Sequence, residues 1–201
     1  MLKIVLLRHG YSMGNKLHTL SGWHDVPLTE EGIEALRTLQ KCYPYPKTDG
    51  YCSSDLSRAY DTAKILFPDQ KIMKVNGFRE IHFGIYEGMG IEEIDHDQFF
   101  DAWLAGEEVE EGESYDRFQD RVMSGLKILS QDMIESGKES LTLVCHSGVI
   151  RLIYSLCRNN NRADLFDLPV PNGLGFELHF NFKDDQVELM EINRLKKREG
   201  Q

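Results

Sequence analysis

Residues 2–7, LKIVLL, form a short, mostly apolar run of the kind expected of a strand covered on both faces. Similar strand-like runs occur at Gly50–Cys52, at KIMKV over 71–75 and at Leu141–Cys145. Alternating stretches at Phe176–Phe182 and Val187–Ile192 predict two more strands late in the chain. Between these runs the apolar spacing turns helical. Thr29 is expected to cap a helix over 30–42 that carries Ile33, Leu36 and Leu39 on one face, with the turn-rich stretch from Pro44 to Gly50 ending it. A second helix is expected to continue through Asp61–Leu66. The longest starts at a Ser114 cap and repeats Phe118, Val122, Leu126, Leu129 and Met133 until Gly137 breaks it. Val149–Cys157 predicts another. Alternation of this kind predicts an α/β fold in layers, with a largely parallel central sheet flanked by helices. A chain of 201 residues fits one domain spanning 1–201. No repeat, linker or low-complexity run interrupts it, and a ragged polar tail follows Asn193.

Two histidines close apolar runs: His9, after Leu6-Leu7-Arg8, and His146, after Val144-Cys145. Open α/β sheets place their ligands at the carboxyl ends of their strands, so the two rings are expected to meet there in a phosphoryl-transfer site. Arg8 is an odd residue beside a core strand unless an anion partners it. Arg58, in the first turns of the helix after Ser53-Ser54-Asp55-Leu56-Ser57, is the second cationic candidate. Glu80 supplies a carboxylate among apolar neighbours, with Glu87 as its rival. Each has a plainer alternative. Arg58 could pair with Asp55 or Asp61, and His146 could be a core histidine donating to a backbone carbonyl. His18, His24, His82, His96 and His179 receive no ligand role, although His82 lies close enough to Glu80 in sequence to reach a substrate.

The motifs run in a recognisable order: Arg8-His9-Gly10; Gly22-Trp23 with Asp25, Pro27-Leu28-Thr29 and Gly32; Ser54-Asp55-Leu56 with Arg58-Ala59; Arg79-Glu80-Ile81 with Phe83-Gly84 and Glu87-Gly88; Gly112-Glu113-Ser114; and His146 with Gly148-Val149-Ile150-Arg151. With these the chain resembles the histidine phosphatase, or phosphoglycerate mutase-like, superfamily, and in particular its alpha-ribazole phosphatase-like and small broad-specificity branch. Ser147 stands where many members carry Gly. The resemblance implies that His9 attacks phosphorus, and that Arg8, Arg58, Asn15, Gly22, His146 and the backbone at Ser147 hold the phosphate. It also implies that Glu80 protonates the leaving alcohol and then activates water. The chemistry agrees: forked guanidinium donors match phosphate oxygens, and a covalent phosphohistidine divides one displacement into two. The expected activity is hydrolysis of a small phosphate monoester, alpha-ribazole phosphate or a related metabolite. A cofactor-dependent phosphoglycerate mutase and, behind it, a non-catalytic phospholigand-binding protein are the alternatives.

Net charge is −10 from 23 basic and 33 acidic residues. Twelve of the acids lie between Ile81 and Asp116, where there is no Lys or Arg, leaving 21 acids against 23 bases elsewhere. In the family the insertion over about 81–116 forms a cap on the active site, so this acidic stretch is expected to overhang the substrate and to favour a neutral, aromatic or cationic leaving group. The competing expectation is a solvated helical face with Phe99, Phe100, Trp103 and Leu104 turned inward. Either way the charge argues against nucleic acid as a partner. No run reaches the ~18 apolar residues of a membrane helix. Cys42, Cys52, Cys145 and Cys157 show no metal or disulfide spacing, which fits a cytoplasmic protein needing no cofactor or metal. The expected partner is a small phosphorylated metabolite, and a homodimer stays open.

Overall fold

A computed structural model of the chain describes residues 1–158, 161–162 and 165–195; the polar tail beyond residue 195 lies outside the described residues. Strands β1 (Leu2–Arg8), β2 (Gly50–Ser53), β3 (Ile72–Lys74), β4 (Ser140–Cys145), β5 (Gly175–Lys183) and β6 (Gln186–Arg194) form one sheet in the order β3-β2-β4-β1-β5-β6. The β3-β2, β2-β4 and β4-β1 pairs are parallel, whereas β5 and β6 join antiparallel. The expected mixed, mostly parallel sheet is therefore present.

Alternation along β1 shows why both faces are covered. Ile4 and Leu6 enter a core that includes Phe118, Val122, Leu126 and Leu129 of α5 (Tyr115–Glu135), with Val149, Ile150 and Ile153 of α6 (Ser147–Arg158). Val5 and Leu7 enter the opposite core with Leu36 of α2 (Glu30–Cys42) and Ala59, Ala63 and Leu66 of α3 (Ser57–Leu66). All four strand residues are fully buried, so each contributes about 1.5–3 kcal/mol of apolar burial.

Helix boundaries follow the sequence signals with a few exceptions. Thr29 caps α2 by accepting from the Gly32 N–H at 3.0 Å. Ser114 stands at the N-cap of α5, but its side chain makes no cap bond. Helix α6 begins at Ser147, two residues before its apolar repeat. The short α1 (Met13–Leu17), with Ser12 as its cap, has no apolar periodicity and was not predicted. The insertion folds as 3-10 turns and α4 (His96–Leu104). Among the described residues no helix is long and apolar enough to cross a membrane.

Candidate active site

Register brings the two histidines together. Arg8 on β1 faces Cys145 on β4, so the next residue of each strand is a histidine at the same sheet edge. The His9 N–H donates to the Cys145 carbonyl at 2.9 Å, and the two rings lie 5.2 Å apart between centroids. His9 Nδ1 is 2.7 Å from the Gly10 carbonyl. A carbonyl only accepts, so Nδ1 carries the proton and Nε2 keeps its lone pair. Burial and the nearby Arg58 and Arg8 push the His9 pKa well below its ordinary value, so the ring is held in its neutral form.

Contrary to the expectation that it holds the phosphate, His146 is fully buried beside the His9 ring and does not line the cavity. Neither of its ring nitrogens has a hydrogen-bond partner among the described residues. The core-histidine alternative, which needs a carbonyl acceptor, is therefore not what the structure contains. Burial, Arg58 and the neighbouring His9 hold its pKa well below normal. A buried imidazole with both nitrogens unused is costly unless a ligand meets it.

Arg58 is 1% exposed. Its guanidinium donates to the carbonyls of Ser21 (2.7 Å), Gly22 (2.6 Å) and His24 (3.1 Å) and has no carboxylate partner among the described residues. The helix-pairing alternative fails because Asp55 is engaged by Arg79, whose Nε lies 2.8 Å away. Arg8 donates through Nη1 to the Val170 carbonyl at 2.7 Å, while its buried Nε lacks a partner among the described residues. Desolvation lowers the pKa of both arginines, and Glu80 counteracts it; both remain cations. A buried and a half-buried guanidinium beside a neutral histidine, neither with a carboxylate partner among the described residues, suit an anionic ligand.

Glu80 accepts from Ser147 Oγ (3.2 Å), Gly148 N (3.1 Å) and Ile81 N (3.1 Å). A Cβ on Gly148 would fall 2.1 Å from Glu80 Oε1, so only glycine lets the start of α6 approach the carboxylate this closely. Ser147 thus faces the cavity, with its hydroxyl aimed at Glu80. Asn15 also lines the cavity.

Three expectations need correction. Gly22 does not offer its N–H to a phosphate, because that N–H donates to Glu87 Oε2 at 2.9 Å and its carbonyl serves Arg58. His82 stacks on Trp23 at 4.4 Å and does not line the cavity. Glu87 is no rival acid. Its carboxylate accepts from the backbone N–H groups of Gly22, Trp23, His24 and Phe83, fastening the loop whose carbonyls hold Arg58.

The acidic insertion follows the solvated-face expectation and not that of carboxylates overhanging the cavity. Of its eleven carboxylates whose side chains are described, nine are exposed, Glu87 is half-buried and Glu113 is buried. The insertion lines the cavity of about 200 Å³ with Ile81, Phe83, Ile91 and Phe100, and none of its described carboxylates does so. Trp103 is 1% exposed and donates to the Glu113 carbonyl at 2.9 Å. Charged groups stay in water while the aromatic side packs inward.

Residues the sequence reading passed over complete the site. Arg121 of α5 donates to the carbonyls of Gly77, Arg79 and Glu80 and to the Glu113 carboxylate, so it holds the backbone on either side of Glu80. Its signal was its place three residues after Phe118, on the core face of a helix. Arg151 lines the cavity, its Nε bound to the Leu168 carbonyl at 3.0 Å. The Thr62 hydroxyl accepts from Gly10 N at 2.8 Å and ties α3 to the end of β1.

A neutral histidine beside two arginines without carboxylate partners among the described residues, with Glu80 lining the same cavity, is an arrangement suited to an anionic ligand. The chain belongs to the histidine phosphatase superfamily (branch 1), whose family model matches residues 4–193. It is 29% identical to the 2,3-bisphosphoglycerate-dependent phosphoglycerate mutase of Bifidobacterium longum (strain DJO10A), over 90% of this chain and 88% of that protein. It is 26% identical to the adenosylcobalamin/alpha-ribazole phosphatase of Salmonella typhimurium, over 86% of this chain and 87% of that protein. The alpha-ribazole phosphatase structure from Shigella flexneri superposes with a TM-score of 0.74 at 21% identity, covering 96% of both chains, and so has the same fold.

Proposed function

We propose that the protein is a phosphatase that hydrolyses a small phosphate monoester through a phosphohistidine on His9, without metal or cofactor. The observation that carries this reading is the His9 ring itself: its proton is committed to Gly10, and its free Nε2 lies among Arg8, Arg58 and His146. In-line attack by Nε2 forms the N–P bond as the ester P–O bond breaks. Arg8, Arg58 and Asn15, which line the cavity, bear the charge on the equatorial oxygens. Glu80 gives its proton to the departing alkoxide and then takes one from the water that hydrolyses phosphohistidine. The two guanidiniums supply the cationic charge, and no cluster of three metal-binding side chains occurs among the described residues.

The apolar wall of Leu20, Ile81, Phe83, Ile91, Phe100 and Phe166 suits a leaving group with an aromatic or aliphatic body. That supports alpha-ribazole phosphate or a related metabolite, as does the Salmonella relative. Four unpaired cysteines agree with a cytoplasmic location.

One observation favours the mutase as a second reading. Arg151 places a third cation in the cavity, and a mutase needs cations beyond the first phosphate to hold a phosphorylated acid. Only one such residue is there among the described residues, which keeps hydrolysis first. Phosphate release from a panel of monoesters in EDTA, run beside a mutase assay primed with bisphosphoglycerate, separates the readings. Phosphate release without isomerisation is expected. Efficient isomerisation of phosphoglycerate would make the enzyme a mutase.

A further inference from the structure

The turn at Val170–Leu174 grips the end of β1 at several points. Arg8 Nη1 donates to the Val170 carbonyl (2.7 Å), Arg8 N to the Leu174 carbonyl (3.0 Å), and Gly173 N to the Arg8 carbonyl (2.9 Å). Between them Asn172 Nδ2 donates to the His9 carbonyl (2.9 Å) and to Asn15 Oδ1 (3.3 Å). Asn172 does not line the cavity. Its importance lies in the asymmetry of an amide, which has nearly the same shape either way round but accepts at one end and donates at the other.

The His9 carbonyl can only accept, so Asn172 must present its nitrogen to that side. That nitrogen then requires an acceptor from Asn15. Asn15 Oδ1 also receives the Ser12 N–H at 3.1 Å. With two obligate donors on Oδ1, turning the Asn15 amide over would oppose donor to donor. Asn15 Nδ2 is left as the end free to donate into the cavity that Asn15 lines. We infer that Asn172 is a positioning residue for phosphoryl transfer: the backbone of the nucleophile orients Asn172, and Asn172 orients the Asn15 amide so that it donates to the phosphate. The inference rests on the phosphatase reading above.

Asn172→Asp keeps the shape but replaces the donor with an acceptor, so Asn15 loses the contact that holds its orientation. The variant is expected to lower kcat/KM and to weaken inhibition by vanadate, each by about 10- to 100-fold, the range for one hydrogen bond to a charged group. A merely structural role would persist without Asn15, so the deciding readout is a double-mutant cycle. In an Asn15→Ala background, Asn172→Asp or Asn172→Ala should cost no more than about twofold, which is within the usual error of additivity. Undiminished loss in that background would overturn the inference while leaving the phosphatase reading intact. A wild-type enzyme that neither releases phosphate nor forms phosphohistidine would overturn both. Should neither Asn172 variant fold, the side-chain amide signals of Asn15 in wild-type protein decide: vanadate should shift the Nδ2 protons, and unmoved signals would overturn the inference.

Discussion

The strand-end floor and the insertion at 81–116 use charge in opposite ways. In the floor, Arg8, Arg58, His9, His146 and Glu80 are buried or nearly so, and the orientation of each is fixed by a neighbour or by the sheet register. In the insertion the charge is far denser, yet nine carboxylates are exposed and cost the fold almost nothing. Burying a charge is expensive, so a buried unpaired cation implies a ligand, whereas an exposed acidic run implies only contact with water. Density of charge along the sequence was the weaker guide.

The comparison can be broken most forcefully at Glu80. Glu80→Gln is expected to slow hydrolysis of an alkyl phosphate by about 10²- to 10⁴-fold, the usual range for general acid–base catalysis. Single-turnover phosphoryl transfer from p-nitrophenyl phosphate, whose leaving group hardly needs a proton, should slow much less. Equal loss with both substrates would remove Glu80 as the acid.

Glu87 tests whether the floor depends on its supports. Its carboxylate satisfies four backbone N–H groups, and the amide of Glu87→Gln would turn a donor toward some of them. Since each unsatisfied N–H costs about 1–3 kcal/mol, denaturant unfolding should show a loss of about 2–4 kcal/mol. KM should rise as the carbonyls holding Arg58 loosen. A loss below about 1 kcal/mol would show that the loop holds itself.

Acidification should expose the cost of the two buried histidines. Both have pKa values well below normal when folded, so below about pH 6.5 the unfolded chain binds protons that the folded chain does not. Their contribution is complete above that pH and is lost as pH falls, with a slope of up to about 1.4 kcal/mol per unit for each ring. Asp55, held low by Arg79, adds a loss in the same direction only below about pH 3.9. Unfolding of His146→Gln between pH 6.5 and 5 should depend less steeply on pH than unfolding of wild type. An unchanged slope would mean that His146 is charged in the folded state.

How much could be read in advance follows from the same physics. Apolar periodicity located the strands, α2, α3 and α5, because burial of those faces drives folding. His9, His146, Arg8, Arg58 and Glu80 stood out as polar residues at apolar strand ends or within spaced motifs, and they do meet. Asn172 and Thr62 were not legible, since each acts across a long sequence separation through contacts that only the sheet order creates, and Arg151, though it stands within a motif, gave no sign of lining the cavity. Gly22 was misread because a glycine beside a site can serve as well by close approach, here 1.9 Å from a would-be Cβ to the Ile81 carbonyl, as by donating its N–H.

The smallest effect is expected in the insertion. Replacing exposed Glu107, Glu108 and Glu110 together by Gln should leave kcat/KM within about twofold, because screening over ~8 Å at physiological salt weakens carboxylates that do not line the cavity. Stability should change by no more than about 0.5 kcal/mol per site. A tenfold gain for an anionic substrate would mean that the insertion reaches the substrate after all.

The most direct test of the central claim is to mix enzyme with labelled substrate, quench within one turnover and map the label. An acid-labile, alkali-stable phosphoryl group is expected on His9, absent from His9→Ala together with activity. An active His9→Ala enzyme, or label on another residue, would contradict it.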